Sequence, residues 1–123
     1  LTIQIQKIPE IVWKISGKLI KSGYQAFIVG GAIRNSMLGC QVKDWDVATD
    51  ATPDKIRELF PEMTRFNLKH GTVTLVSEGR HFEVTTFRGT EGFSSSIEED
   101  LAHRDLTFNA MAYNISNKRI IDP

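Results

Sequence analysis

The sequence predicts an α+β domain built on a mixed sheet flanked by helices, and three observations carry that prediction. Apolar residues recur at helical spacing through Ile8, Ile11, Val12, Ile15 and Leu19. Short runs of strand character follow at Tyr24 to Val29, Asp44 to Ala48, Thr72 to Val76 and Phe82 to Phe87. The last two are joined by a turn around Glu78 and Gly79, so they form a hairpin and give the sheet an antiparallel component.

Each element has its own start and stop signals. The first helix has Pro9 near its first turn and Gly23 beyond its end, the usual placing of these two residues. After the strand to Val29, Gly30 and Gly31 make a tight turn, and Ala32 to Leu38 reads as a short helix closed by Gly39. In the next strand Trp45 and Val47 point to one face, and Asp44 and Asp46 to the other. Thr52 as N-cap, Pro53 at the first helical position and Asp54 in the first turn announce a helix with apolar residues Ile56, Leu59 and Phe60, ended by Pro61. Ser96 with Glu99 forms a capping box for a helix starting near Ile97. A further helical stretch is expected from Asp105 through Ala112, with Asp105 and Asn109 on one face. Tyr113 to Ile115 and Arg119 to Ile121, around Asn117 and Lys118, form a closing hairpin.

The 123 residues suffice for one domain with a core, and 41% apolar with 24% charged residues is ordinary globular composition. The single cysteine, Cys40, excludes an internal disulfide framework and favours a reducing, cytoplasmic compartment. No apolar run approaches the roughly 20 residues that span a bilayer, and no export signal opens the chain. Fifteen basic residues balance fifteen acidic ones, whereas a self-sufficient nucleic-acid binder carries a basic excess. If RNA is the substrate, most of the grip lies in another part of the protein. The stop at Ile121, Asp122 and Pro123, without a polar tail, is read as the edge of a fragment of a longer protein.

Asp44 and Asp46 place two carboxylates side by side, the arrangement that holds one or two hard divalent cations through oxygen. Spacing alone favours a solvated strand edge over a metal site. The upstream context adds to the metal reading: Gly30 and Gly31 let backbone N–H groups approach a phosphate, and Arg34 sits in the first turn of the helix that follows, although by itself this segment reads better as an ordinary strand-to-helix turn. A dinucleotide fingerprint is disfavoured, because Val29 occupies the first glycine position and the third is missing; a P-loop lysine is absent too. His70 reads as a hydrogen-bonded residue at a strand entry, and with His81 and His103 it lacks convincing zinc-ligand spacing. Trp13 and Trp45 are expected in the core.

Five segments in order, FIVGGAIRNSMLG from Phe27, DWDVATDATPD from Asp44, HGTVTLV from His70, FEVTTFR from Phe82 and EEDLAHRDLTFNAMAYN from Glu98, are spread from Phe27 to Asn114, over most of the chain. Together they resemble the consecutive landmarks of class II CCA-adding tRNA nucleotidyltransferases and bacterial poly(A) polymerases. The resemblance implies a nucleotidyltransferase head of the DNA polymerase beta-like fold, with a largely antiparallel mixed sheet, occupying residues 1–123 as a single domain. Neck and tRNA-binding helical domains would lie elsewhere in the protein.

The resemblance also implies roles. Asp44 and Asp46 are similar to the family's metal-binding aspartates, and Glu83 resembles its third acidic residue. Gly30, Gly31 and Arg34 match the triphosphate cradle, Arg104 an arginine on the nucleotide, and Asp105 and Asn109 residues that reach the ribose or brace the site. Two Mg²⁺ ions are the implied cofactors, and the tRNA 3′ end, ATP and CTP the implied partners, with neither membrane nor DNA involved. Two-metal phosphoryl transfer would then join a nucleotide to the RNA 3′-hydroxyl with release of pyrophosphate. CCA addition leads; poly(A) synthesis, A-adding or CC-adding specialisation, and a non-catalytic nucleotide-binding or RNA-binding module of the same fold remain open alternatives.

Three departures from the family pattern stand out. Asn35 replaces an aspartate after the arginine, and His103 replaces an arginine before Arg104. Between Arg88 and Ser95 only Gly89 to Ser94 connects two motifs that the family joins by a longer, polar, arginine-containing loop. Missing residues are preferred there over a true deletion, and a long gap in the chain would mark them.

Overall fold

The structure is a computed structural model that describes residues 8–30, 45–68, 71–89, 92–102 and 112–121. The first helix, α1 (Glu10–Lys21), buries Val12, Ile15, Ser16 and Leu19 and keeps Lys18 and Lys21 in its last turn, where positive charge opposes the helix dipole. It ends as a Schellman motif: Gly23 N–H donates to Ile20 O and Tyr24 N–H to Leu19 O, each at 3.0 Å. Strands β1 (Ala26–Val29) and β2 (Trp45–Thr49) precede α2 (Pro53–Leu59). Thr52 caps α2 as expected, accepting from Lys55 N–H at 3.4 Å.

Three strands follow, β3 (Thr64–Leu68), β4 (Thr72–Ser77) and β5 (Arg80–Thr86), then a small hairpin of β6 (Arg88–Gly89) and β7 (Gly92–Phe93). Helix α3 (Ile97–Ala102) and the closing strands β8 (Ala112–Asn114) and β9 (Arg119–Ile121) complete the described chain. At the start of α3, Ser96 Oγ accepts from Glu99 N–H at 3.2 Å, the cap predicted there.

Among the described residues the sheet has seven strands in the order β3-β4-β5-β2-β1-β8-β9. Only β2 and β5 run parallel; the other neighbours are antiparallel, so the expected mixed and largely antiparallel sheet is what forms. The chain between β2 and β5 carries α2, the crossover a parallel pair needs. Strand alternation then sorts side chains onto two faces. Ile28, Trp45, Val47, Val73, Leu75, Phe82 and Val84 pack in one cluster with residues of α1 and α2. Phe27, Val29, Ala48, Phe87 and Ala112 face the other way and pack with Ile97 and Leu101 of α3. This second apolar patch covers only part of its face, leaving the β4-β5-β2 portion for polar side chains.

Several expectations change. Trp13 is 37% exposed, so it is not a core residue, whereas Trp45 is buried as expected. Ala112, assigned to the end of a helix, opens β8 opposite Val29. Strand β3 was not expected; it pairs only with β4 and carries a register shift between Thr64 and Phe66. After β5, Arg88 pairs with Phe93 and Gly89 with Gly92, and the two residues between these pairs, 90 and 91, lie outside the described residues. The helix expected from Ala32 to Leu38, the stretch from Asp105 to Met111, and His70 lie outside the described residues.

Candidate functional site

Strand β2 is held on both sides: Val29 of β1 pairs with Asp46, and Asp46 pairs with Glu83 of β5. Because β2 and β5 run parallel and in register, the two carboxylates leave the same face from neighbouring strands roughly 4.8 Å apart. Beneath them Trp45, Val47, Phe82 and Val84 point into the core, all at most 3% exposed. The strand period therefore does two jobs at once: the odd positions of β2 anchor it, and Asp46 is left facing outward.

The pair carries an electrostatic cost. Two unit charges about 4 Å apart repel by about 1 kcal/mol in water and about 4 kcal/mol at the effective dielectric of a protein surface. A hard divalent cation offsets that repulsion, and an all-oxygen donor set suits such an ion. Among the described residues no cluster of three or more His, Cys, Asp or Glu side chains surrounds a single ion position. The described part of the site thus offers two carboxylates, and Asp44, the next acidic residue expected here, lies outside the described residues.

Gly30 continues β1 past Val29 with φ +77°, and a Cβ built on it would lie 3.3 Å from Asp46 Oδ2. The glycine turn and the aspartate are consequently in close approach, as a phosphate cradle beside a cation site requires. A pocket of about 350 Å³ opens over the acidic pair, lined by Trp45, Asp46, His81 and Glu83. On β4, Thr74 stands directly opposite Glu83 on the same face, and its buried hydroxyl has no hydrogen-bond partner among the described residues.

The far ends of the strands are locked together. Thr86 Oγ1 donates to Ala51 O at 2.6 Å, and Phe87 N–H to Thr49 O at 2.8 Å. Gln25 joins the start of β1 to Asp50 through its backbone N–H at 2.7 Å, and its side-chain amide reaches Ser95 O at 3.0 Å. Buried Asp100 of α3 accepts from Arg88 N–H at 2.8 Å, which fixes the helix leading toward Arg104 against the end of the sheet. These bonds make the platform under Asp46 and Glu83 rigid.

Of the residues singled out from the sequence, Gly30, Asp46 and Glu83 come together in this way. Asp44, Gly31, Arg34, Arg104, Asp105 and Asn109 lie outside the described residues. His81 was set aside when weighed as a zinc ligand, yet it lines the pocket. The signal was available in strand parity, since His81 precedes Glu83 by two residues and shares its face.

Known proteins match this architecture closely. The CCA-adding enzyme of Bacillus pumilus (strain SAFR-032) is 47% identical over 116 aligned residues, which take in 85% of this chain and 28% of that protein. Those 116 positions exceed 85% of 123 residues, so the relative carries residues that this chain lacks. The crystal structure of the Bacillus stearothermophilus CCA-adding enzyme in complex with CTP superposes with a TM-score of 0.82 at 42% identity, covering 93% of this chain and 29% of that one. A tRNA nucleotidyltransferase complexed with a primer tRNA and an incoming ATP analog gives a TM-score of 0.73 at 29% identity, over 89% of this chain and 34% of that one. The chain therefore spans about three-tenths of the length of such relatives. The model of the poly A polymerase head domain matches residues 26–123, from the first strand through the whole sheet and its acidic pair, and the chain belongs to that family.

Proposed function

We propose that this chain is the catalytic head of a template-independent RNA nucleotidyltransferase that adds nucleotides from CTP and ATP to the 3′ end of tRNA. The observation that carries the reading is the in-register pairing of Asp46 with Glu83 beside the Gly30 turn. The relatives that bind CTP, an ATP analog and a primer tRNA share this head, which supports the same substrates here. Residues 1–123 form one head domain of a longer protein whose neck and helical domains select the base and hold the tRNA. Work on tRNA, with Cys40 as the only thiol, fits a reducing cytoplasmic location.

Asp44, Asp46 and Glu83 would hold two Mg²⁺ ions, which when bound neutralise the charge of the transferring phosphate. The backbone N–H groups of Gly30 and Gly31, with Arg34 and Arg104, bind the triphosphate and keep its α-phosphorus in line with the primer 3′-hydroxyl. Asp105 and Asn109 contact the ribose or brace the arginine. The hydroxyl oxygen forms the new phosphodiester bond and pyrophosphate leaves. No side-chain nucleophile takes part, because phosphoryl transfer depends on alignment and charge neutralisation more than on covalent help.

The test uses the full-length protein and a tRNA lacking its 3′ end. Addition that stops after CCA supports the reading; a long A tract would make the protein a poly(A) polymerase, and no pyrophosphate release with any RNA primer would make it a binding module. Asp46→Ala is expected to abolish addition while the fold persists, and near-wild-type turnover of that variant would overturn the site.

A further inference from the structure

We propose that His81 is a primer-contacting residue, whose imidazole N–H holds a backbone phosphate oxygen at the 3′ end of the RNA. The inference rests on the nucleotidyl-transfer reading above and adds a residue to it. Across the sheet the order is the Gly30 turn after β1, then Asp46 on β2, then Glu83 and His81 on β5. The glycine turn thus lies on the β1 side of Asp46, and Glu83 and His81 lie on its β5 side. An in-line transfer brings its two substrates to the metal site from opposite sides. With the triphosphate on the glycine turn, the primer arrives over β5.

The chemistry of the pocket points to the same side chain. Its described lining is Trp45, Asp46, His81 and Glu83. Ionised carboxylates only accept hydrogen bonds, and Trp45 is 3% exposed and packed in the core. A phosphate oxygen entering the pocket needs a donor, and His81 presents one from an exposed position two residues before Glu83. A neutral imidazole carries one N–H in either tautomer, so the contact requires no change of protonation. The side chain is also dispensable to the fold, being exposed and opposite Val76 at the start of β5.

The experiment compares full-length wild type, His81→Ala and His81→Gln on a tRNA lacking its 3′ end. Glutamine keeps an N–H donor at similar reach. Steady-state KM for primer, KM for CTP and kcat are measured, together with primer Kd by fluorescence anisotropy in EDTA, a readout independent of turnover. His81→Ala is expected to raise primer KM and Kd about three- to tenfold, the range of one lost hydrogen bond, with the effect on KM rather than on kcat or on KM for CTP. His81→Gln is expected to recover most of the loss. A primer Kd and KM within about twofold of wild type in His81→Ala would overturn the proposal, as would an effect confined to KM for CTP. Failure of the transfer reading is separable: a wild type that extends no primer refutes that reading, whereas anisotropy still reports on His81.

Discussion

Asp46 and Glu83 are register partners on the parallel strands β2 and β5, so two carboxylates that are distant in sequence share one face of the sheet. Such a pair is destabilising by itself and becomes favourable with a cation between its members. Glu83→Gln should therefore leave the melting temperature without metal unchanged or raised, by up to about 1 kcal/mol of stability. It should also lower nucleotide addition by about a hundredfold or more, because transition-state charge loses its support. Thermal melts in EDTA beside primer-extension rates test both halves, and a variant that melts lower and still extends at the wild-type rate would refute the assignment.

The same pair predicts how the fold responds to metal. A ligand that binds only the native state stabilises it by about 2.7 kcal/mol at a hundred times its Kd. Titrating Mg²⁺ into wild type should raise the melting temperature along such a curve, and EDTA should reverse it. In Asp46→Asn the rise should be much smaller. Equal rises in both proteins would mean that the ions bind elsewhere.

Gly30 gives a sharper test because a matched control exists. Gly30 has φ +77° and would place a Cβ 3.3 Å from Asp46 Oδ2; Gly79 has φ +75° with nothing within 4 Å. Alanine at either position introduces left-handed strain of about 1 to 2 kcal/mol. Only Gly30→Ala also pushes on the aspartate. Both variants should lose similar stability by urea denaturation, while nucleotide addition falls in Gly30→Ala and stays at the wild-type level in Gly79→Ala. Equal rates in the two would remove the close approach from the mechanism.

How much of this was legible in the sequence depends on the range of the interactions involved. The caps of α1 and α2 and the parity of β2 are local, and Gly23, Thr52 and the alternation of Trp45 with Asp46 announce them. Trp13 was misplaced because aromatic size suggested burial, yet it sits beside rather than on the inward stripe of Val12, Ile15, Ser16 and Leu19. Strand β3 has little alternation of its own and exists through pairing with β4 alone, which no local pattern encodes. Ala112 reads well as helix, and its place opposite Val29 is likewise a long-range fact. The pairing of Asp46 with Glu83 arises the same way, from a crossover through α2 that sets two remote strands parallel. Only the ordered resemblance to a family brought Glu83 into the site before the fold was in hand.

Tyr113 supplies a pH dependence. It lies in the larger core cluster at 6% exposure, and burial pushes its hydroxyl above the ordinary tyrosine value. Because the neutral form is the one the fold favours, the associated stability is fully present below the unfolded-state pKa of about 10 and is lost as pH rises through the raised value. Tyr113→Phe lacks this group, so the stability of wild type relative to the variant should fall between pH 9 and pH 11 by roughly 1.4 kcal/mol per pH unit at most. Urea midpoints at the two values measure it, and parallel losses in the two proteins would contradict the assignment.

Thr74 is the one side chain beside the acidic pair that is buried without a partner among the described residues, at 2% exposure and directly opposite Glu83. A buried hydroxyl that makes no hydrogen bond carries its desolvation penalty uncompensated, about 1 to 3 kcal/mol. Valine has nearly the same shape and favours a strand, so Thr74→Val should stabilise the protein by about 0.5 to 2 kcal/mol. Its burial also keeps it out of reach of primer and nucleotide, and the rate of nucleotide addition should be unaffected. A loss of stability would show that the hydroxyl has a partner in solution, and a loss of rate at preserved stability would place Thr74 behind Glu83 as a positioning residue; each is distinguishable by a melt and a primer-extension assay on the same preparation.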